Sequence, residues 1–221
     1  MVEHSDISVV ILAGGISRRL GRDKAAEPFG HETLLRRVVR RASESVGSND
    51  VVIVVADIGQ SERAPADIPH RLVLDAFRGT GTLGGIYTGL EAARNEWALV
   101  VACDMPFLSA PLLGYMARLR EAVDAVVPVT GGRPEPTHAL YSRRCLPAIS
   151  QRLQAGQLKA AGFLDLVRVR YVDESEARRF DPALLTFFNV NRPEDLAQAV
   201  EIAAQERDQS GCLAGTPTRR G

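Results

Sequence analysis

The sequence predicts an α/β fold with a doubly wound, mostly parallel sheet. Short β-branched runs alternate with amphipathic segments through the first half of the chain. The runs are continuously apolar, as strands covered on both faces require. A length of 221 residues suits one domain, or one with an appendage. Right-handed crossovers between such strands give the doubly wound arrangement.

The elements follow in order. The first strand is predicted over residues 9–12, ending at Ala13-Gly14. Residues 33–46 read as a helix: Leu34, Leu35, Val38, Val39, Ala42 and Val46 recur at helical spacing, with Arg36, Arg37, Arg40, Arg41 and Glu44 opposite. Strands follow at 51–55, 72–74, 99–103 and 125–129. Helices are expected at 83–95 and 111–121, the second capped by Ser109. Beyond 129 the alternation is less regular, with a helix at 146–153, a strand at 166–172 and a final helix at 193–205. Residues 1–208 are expected to form a single domain. Residues 209–221, with Gly211, Gly215, Pro217 and Arg219-Arg220, read as a disordered tail.

Composition excludes several classes. Hydrophobic residues are 45% and charged residues 24%, ordinary for a folded domain. Basic and acidic residues number 27 each, which disfavours nucleic-acid binding and a polybasic membrane anchor. No apolar run is long enough to span a bilayer, and the acidic N-terminus does not resemble a signal peptide. Cys103, Cys145 and Cys212 are sparse and odd in number, which fits a reducing cytoplasm; Cys103 reads as a buried small hydrophobe. The neutral total is a sum of opposed regions. Residues 17–41 hold eight basic and three acidic residues, and residues 193–208 hold five acidic and one basic. The basic region is read as a field for a small anionic ligand.

Ligands of doubly wound sheets bind beyond the carboxyl ends of the strands, at the switch point. Directly after the first strand comes Leu12-Ala13-Gly14-Gly15-Ile16-Ser17-Arg18-Arg19-Leu20-Gly21-Arg22-Asp23-Lys24. Glycines let backbone N–H groups close on an anion, and Arg18, Arg19, Arg22 and Lys24 add cationic donors. This is a phosphate-binding loop, although Gly21 and Lys24 are not adjacent as a P-loop requires. Gly79-Thr80-Gly81-Thr82-Leu83-Gly84 matches GxGxxG, with Asp104 20 residues later, where a dinucleotide site would place its ribose-binding acid. Asp104 ends an apolar strand and suits Mg²⁺, which uses one or two protein carboxylates. It equally suits a structural turn before Pro106, and Asp75 shares that ambiguity. Asn189-Val190-Asn191 precedes the helix start Pro193-Glu194-Asp195. His138 reads equally as a ligand contact or an ordinary loop histidine. No Ser-His-Asp or Cys-His set points to covalent catalysis.

These motifs together resemble the molybdenum cofactor guanylyltransferase family. The match runs through LAGGISRRLGRDKA at 12–25, Asp75, Gly81-Thr82-Leu83-Gly84-Gly85-Ile86, Cys103-Asp104-Met105-Pro106, Pro136-Thr137 and Phe188-Asn189-Val190-Asn191, and spans about residues 7–205. The resemblance implies a Rossmann-like nucleotidyltransferase that joins GMP from GTP to molybdopterin and releases pyrophosphate with Mg²⁺. It implies that Leu12, Ala13, Gly14, Gly15, Lys24, Asp75, Gly84 and Asp104 bind nucleotide. Arg19, Lys24 and Asp104 would act in catalysis, Asp104 would hold the metal, and Asn189 and Asn191 would serve the acceptor. Transient contact with other cofactor-biosynthesis or molybdoenzyme-maturation proteins is a further implication. The chain departs from the family at Val55 or Ala56, where an asparagine can contact nucleotide, and at Gln157-Leu158-Lys159, which lacks arginines expected near the pterin phosphate. Relatives that transfer CMP tend to read LAAG where this chain reads Leu12-Ala13-Gly14-Gly15, which favours guanine. Alternatives are another phosphate acceptor or CTP as donor, an NAD-binding dehydrogenase, and a GTP-sensing module without turnover.

Overall fold

A computed structural model describes residues 6–14, 24–57, 59 and 64–213. The element order is β1 (Ile7–Leu12), β2 (Pro28–Phe29), β3 (Glu32–Thr33), α1 (Leu34–Val46), β4 (Val51–Val55), β5 (Arg71–Leu74) and α2 (Thr82–Ala92). There follow β6 (Trp97–Ala102), α3 (Ala110–Arg118), β7 (Ala125–Thr130), β8 (Arg133–Pro134), β9 (His138–Ser142) and α4 (Leu146–Gln154). The chain ends with β10 (Val169–Val172), α5 (Glu174–Arg178) and α6 (Pro193–Leu213).

Among the described residues the main sheet has eight strands in the order β5-β4-β1-β6-β9-β7-β10, with β8 paired to β7. Strands β5, β4, β1 and β6 are mutually parallel, and so are β7 and β10. Strand β9 is antiparallel to both β6 and β7. The sheet is therefore the expected doubly wound, mostly parallel one, with a strand of opposite direction inserted. The first three parallel strands run outward on one side of β1, and β6 then returns to its other side. That reversal is the switch point, and it lies between β1 and β6.

Alternate residues of each central strand feed opposite cores. Val9, Ile11, Ile53, Leu99 and Val101 pack under α1 and α3, with Leu35, Val38, Leu112 and Met116. Val10, Val52, Val54, Ala98 and Val100 pack under α2 and α4, with Ile86, Leu90, Ile149 and Leu153. Val9, Val10 and Ile11 are fully buried, each stabilising the fold by about 1.5–3 kcal/mol. A third cluster, Phe29, Leu34, Phe107, Val190, Ala199 and Ala203, seats α6 beside the carboxyl edge of the sheet.

The helices begin where their caps dictate. Thr33 Oγ1 accepts the Arg36 N–H at 3.2 Å, and α1 ends at Gly47 in the left-handed region. Ser109 Oγ accepts the Leu112 N–H at 3.4 Å, the expected cap of α3. Three readings change. Residues 138–142 form a strand that their sequence did not announce. Leu166 closes a 3-10 segment, Ala160–Leu166, and β10 starts only at Val169. Helix α6 continues to Leu213, so residues 209–213 are helical rather than part of a tail, and 214–221 lie outside the described residues. None of the described helices is long and apolar enough to cross a membrane.

Candidate active site

The carboxyl ends of the central strands are stitched into a row by backbone hydrogen bonds. Asp75 N–H donates to Val55 C=O (2.8 Å), Ala13 N–H to Val54 C=O (2.8 Å), and Cys103 N–H to Leu12 C=O (3.1 Å). Ala102 N–H then donates to Thr137 C=O (3.1 Å). Leu12-Ala13-Gly14 and Asp104 are thus neighbours across the switch point. Gly14 must be glycine here, because a Cβ would lie 2.9 Å from the Ala56 nitrogen. Gly15, Arg18, Arg19 and Arg22 lie outside the described residues, as does the Lys24 side chain; the Lys24 backbone opens the 3-10 turn Lys24–Ala26.

Asp104 is half-buried, and its carbonyl accepts the Val190 N–H at 2.9 Å. This bond draws the segment Asn189-Val190-Asn191 against the end of β6. Val190 is fully buried in the third cluster, while Asn189 is half-buried and Asn191 exposed. Asn189 Nδ2 donates to Phe187 C=O at 2.9 Å, which leaves its amide oxygen as the group a cation or ligand would meet. Asp195 Oδ2 accepts the N–H groups of Asn191 (2.9 Å) and Arg192 (2.8 Å) and so caps α6.

Asp75 has a structural task. Its Oδ1 accepts the Phe77 N–H at 2.9 Å and the Thr88 hydroxyl at 3.1 Å, bending the chain toward α2. Three inter-strand steps separate β5 from β6, roughly 14 Å at about 4.8 Å per step. One magnesium ion therefore cannot bridge Asp75 and Asp104. The same spacing removes the dinucleotide reading of the GxGxxG segment, because Asp104 is not at the end of a strand adjacent to that turn. Gly84 is buried in the first turn of α2, where a Cβ would overlap the Thr80 hydroxyl and approach Phe77 Cβ at 2.9 Å. Its glycine identity is required by that packing.

His138 is fully buried at the start of β9, so it is not the loop histidine or ligand contact its sequence suggested. Desolvation lowers its pKa to about 3, so it is neutral at physiological pH. Burial pushes the Cys145 thiol up to about 12, which leaves it inert. Cys103 is buried as expected. Among the described residues no cluster of three or more His, Cys, Asp or Glu could hold a metal. A magnesium site needs fewer, since phosphate and water complete its shell.

The arginines of α1 are not a ligand field. Arg36 and Arg40 pair with Glu32 at 2.8 and 3.0 Å. Arg36 also pairs with Asp67 at 2.5 Å, and Arg37 and Arg41 pair with Glu206 of α6 at 3.1 and 3.3 Å. Burial raises the Glu32 pKa, but Arg40, Arg36 and Arg37 more than offset it and hold the carboxyl below its usual range. Arg37 Nε donates to Pro106 C=O at 2.9 Å, and its guanidinium lies over Phe29 and Phe107. These charges hold the turn after Asp104 and neutralise one another.

A cleft of about 930 Å³ opens beside β8 and β10, lined by Arg133, Pro136, Arg152, Lys159, Asp165 and Tyr171 among others. Its Pro136 wall precedes Thr137, whose carbonyl binds Ala102. Arginines missing from 157–159 reach the cleft from β8 and α4 instead. No local signal marked Arg133 or Arg152, since each becomes part of the cleft only through folding.

A strand-end carboxylate and a flanking asparagine segment at the switch point stand where an α/β nucleotide-binding fold takes its ligand. Residues 9–170 match the MobA-like NTP transferase domain, and the chain belongs to that family. It is 40% identical over 198 residues to a probable molybdenum cofactor guanylyltransferase of Pelotomaculum thermopropionicum, covering 90% of this chain and 94% of the relative. It is 36% identical over 200 residues to the molybdenum cofactor guanylyltransferase of Desulfosudis oleivorans, covering 87% and 94%. The crystal structure of molybdopterin-guanine dinucleotide biosynthesis protein A from Archaeoglobus fulgidus superposes with a TM-score of 0.77 at 28% identity, covering 90% of this chain and all of that one.

Proposed function

We propose that the protein transfers GMP from GTP to molybdopterin and releases pyrophosphate. One observation carries the reading: Leu12-Ala13-Gly14, Asp104 and Asn189-Val190-Asn191 meet at the switch point through the Cys103–Leu12 and Val190–Asp104 hydrogen bonds. The names of the relatives supply the guanine and the cofactor.

In the reaction an acceptor phosphate oxygen bonds to the α-phosphorus of GTP. The bond from that phosphorus to the α,β-bridging oxygen breaks, and its electron pair leaves with pyrophosphate. A phosphate nucleophile is already ionised near pH 7, so no general base is needed. That agrees with a buried, neutral His138. Leu12, Ala13 and Gly14 offer backbone groups to guanine. Gly15 offers its backbone N–H to phosphate, and Arg19 and Lys24 neutralise the triphosphate and the leaving pyrophosphate. Asp75 and the turn before Gly84 border the nucleotide. The Asp104 carboxylate is a hard oxygen donor of the kind Mg²⁺ prefers and would hold it, phosphate and water completing the shell. When bound, the ion supplies Lewis-acid neutralisation of phosphate charge. Asn189 and Asn191 serve the acceptor, and the cleft with Arg133, Arg152 and Lys159 takes the acceptor's body, its volume suiting a small-molecule ligand.

We assign the reaction to the cytoplasm from the sparse, odd-numbered cysteines. Transient contact with proteins that supply or receive the cofactor follows from the same chemistry. Pyrophosphate release from GTP, followed with and without molybdopterin and Mg²⁺, is the test. Release that requires both supports the proposal. Equal release from CTP, or release independent of acceptor, overturns it.

A further inference from the structure

His138 is buried beyond reach of any substrate, yet it stands behind the segment that carries both site asparagines. Its Nε2 lies 3.2 Å from Thr186 Oγ1. That hydroxyl also accepts the Ser109 N–H at 3.1 Å, and it shares one hydrogen bond with the imidazole whose direction follows the His138 tautomer. Nδ1 is buried and has no hydrogen-bond partner among the described residues. A buried polar atom without a partner costs stability, so packing alone does not account for a histidine here.

Thr186 lies in the 3-10 turn Leu185–Phe187, which leads directly into the asparagine segment. The next residue, Phe187, meets the His138 ring edge-on at 4.9 Å between centroids. The Phe187 carbonyl accepts the Asn189 side-chain amide at 2.9 Å. The far end of the segment is fixed by the Val190–Asp104 bond. His138 itself is registered against Val101 of β6, three residues before Asp104. One rigid strand pair therefore fixes both ends of the segment: β6 through Asp104, and β9 through His138.

We propose that His138, acting through Thr186, is a positioning residue that sets where Asn189 and Asn191 stand relative to Asp104. It deepens the proposed function and rests on that reading of the asparagines. His138 makes no contact with substrate. It sets the place of the acceptor-side segment and leaves the nucleotide side, at Leu12-Ala13-Gly14, untouched.

The test compares His138→Leu, His138→Gln and Thr186→Val in the full chain, with Mg²⁺, GTP and molybdopterin. KM for each substrate, kcat, Kd for a fluorescent GTP analogue, and Tm are recorded. His138→Leu and Thr186→Val are each expected to raise KM for molybdopterin about tenfold, with the analogue's Kd within twofold. His138→Gln, whose amide oxygen can reach the Nε2 position, is expected to return KM to within threefold. The double variant is expected to raise KM for molybdopterin no more than Thr186→Val alone, because that substitution already removes the contact with His138, together with the Ser109 bond. Unchanged KM values with a lowered Tm would overturn the proposal, as would equal rises for both substrates or additive single effects. If His138→Leu does not fold, Thr186→Val and His138→Gln decide the matter alone. Asn189→Ala and Asn191→Ala separate the two levels. If they leave molybdopterin KM unchanged, the asparagine reading fails and this proposal with it. If they raise it while Thr186→Val does not, only this proposal fails.

Discussion

Two groups of basic side chains, each charge formally +1, differ in what surrounds them. Arg36, Arg37, Arg40 and Arg41 of α1 are each paired with acids from β3, α6 or the segment before β5. Arg133, Arg152 and Lys159 line the cleft and make no ion pair among the described residues. The first group holds the fold together, and the second is available to an anion. A run of arginines in a sequence marks a ligand field only when the structure leaves it unpaired. Here the basic stretch around α1 finds its partner in Glu206 of the acidic C-terminal helix, 169 residues from Arg37.

The comparison can be broken by substitution. The largest effect falls between the groups: Asp104→Ala is expected to cut turnover on the order of 10²-fold or more, as loss of transition-state charge stabilisation does. Retention within threefold in a steady-state assay would remove Asp104 from the metal role. Arg37→Ala is expected to cost about 3 kcal/mol of stability, because a buried, paired and stacked charge is lost; denaturant unfolding measures it. Arg133→Ala, Arg152→Ala and Lys159→Ala are each expected to raise the acceptor KM about tenfold, or about 1.4 kcal/mol, with Tm unchanged. A fall in Tm instead would place the cleft cations with the structural group. Arg36→Ala, which removes an exposed pair with Asp67 and one of the three arginine partners of Glu32, is expected to lower Tm less than Arg37→Ala does and to leave kinetics unchanged.

Acid probes the buried groups separately. The folded pKa of His138 is about 3, below the unfolded value of 6.5. The unfolded state therefore binds the extra proton between these values, and stability falls as pH drops below 6.5, by at most about 1.4 kcal/mol per pH unit from this group. Glu32 is shifted below its ordinary 4.5, so its contribution is present above pH 4.5 and lost as pH falls through its folded pKa. Tm measured from pH 7 to 5 is expected to flatten in His138→Gln and to keep its slope in Glu32→Gln.

Much of the fold was legible because local and tertiary preferences agree. The apolar runs of β1, β4 and β6 and the caps Thr33 and Ser109 needed no partner to be recognised. Strand β9 was not legible. Its sequence, His138 to Ser142, follows two prolines and ends in polar residues; its edges are paired only through β6 and β7, and its faces are buried only in the two opposite cores. The site was half legible. The strand-end rule located Gly14 and Asp104, and the asparagines stood out as more than a helix start. Their meeting through Val190 and Asp104 spans 86 positions, which no local pattern records. Asp75 shows the opposite limit: its place in the row was foreseen, while its bonds to Phe77 and Thr88 required coordinates.

The central claim is that guanylyl transfer occurs at the β1–β6 switch point. Incubating the protein with α-labelled GTP, molybdopterin and Mg²⁺ and following label into the pterin product tests it most directly. The account predicts labelled product from the parent chain and at least a hundredfold less from Asp104→Ala, in line with lost electrostatic stabilisation. No labelled product from the parent, or equal labelling by Asp104→Ala, would contradict it.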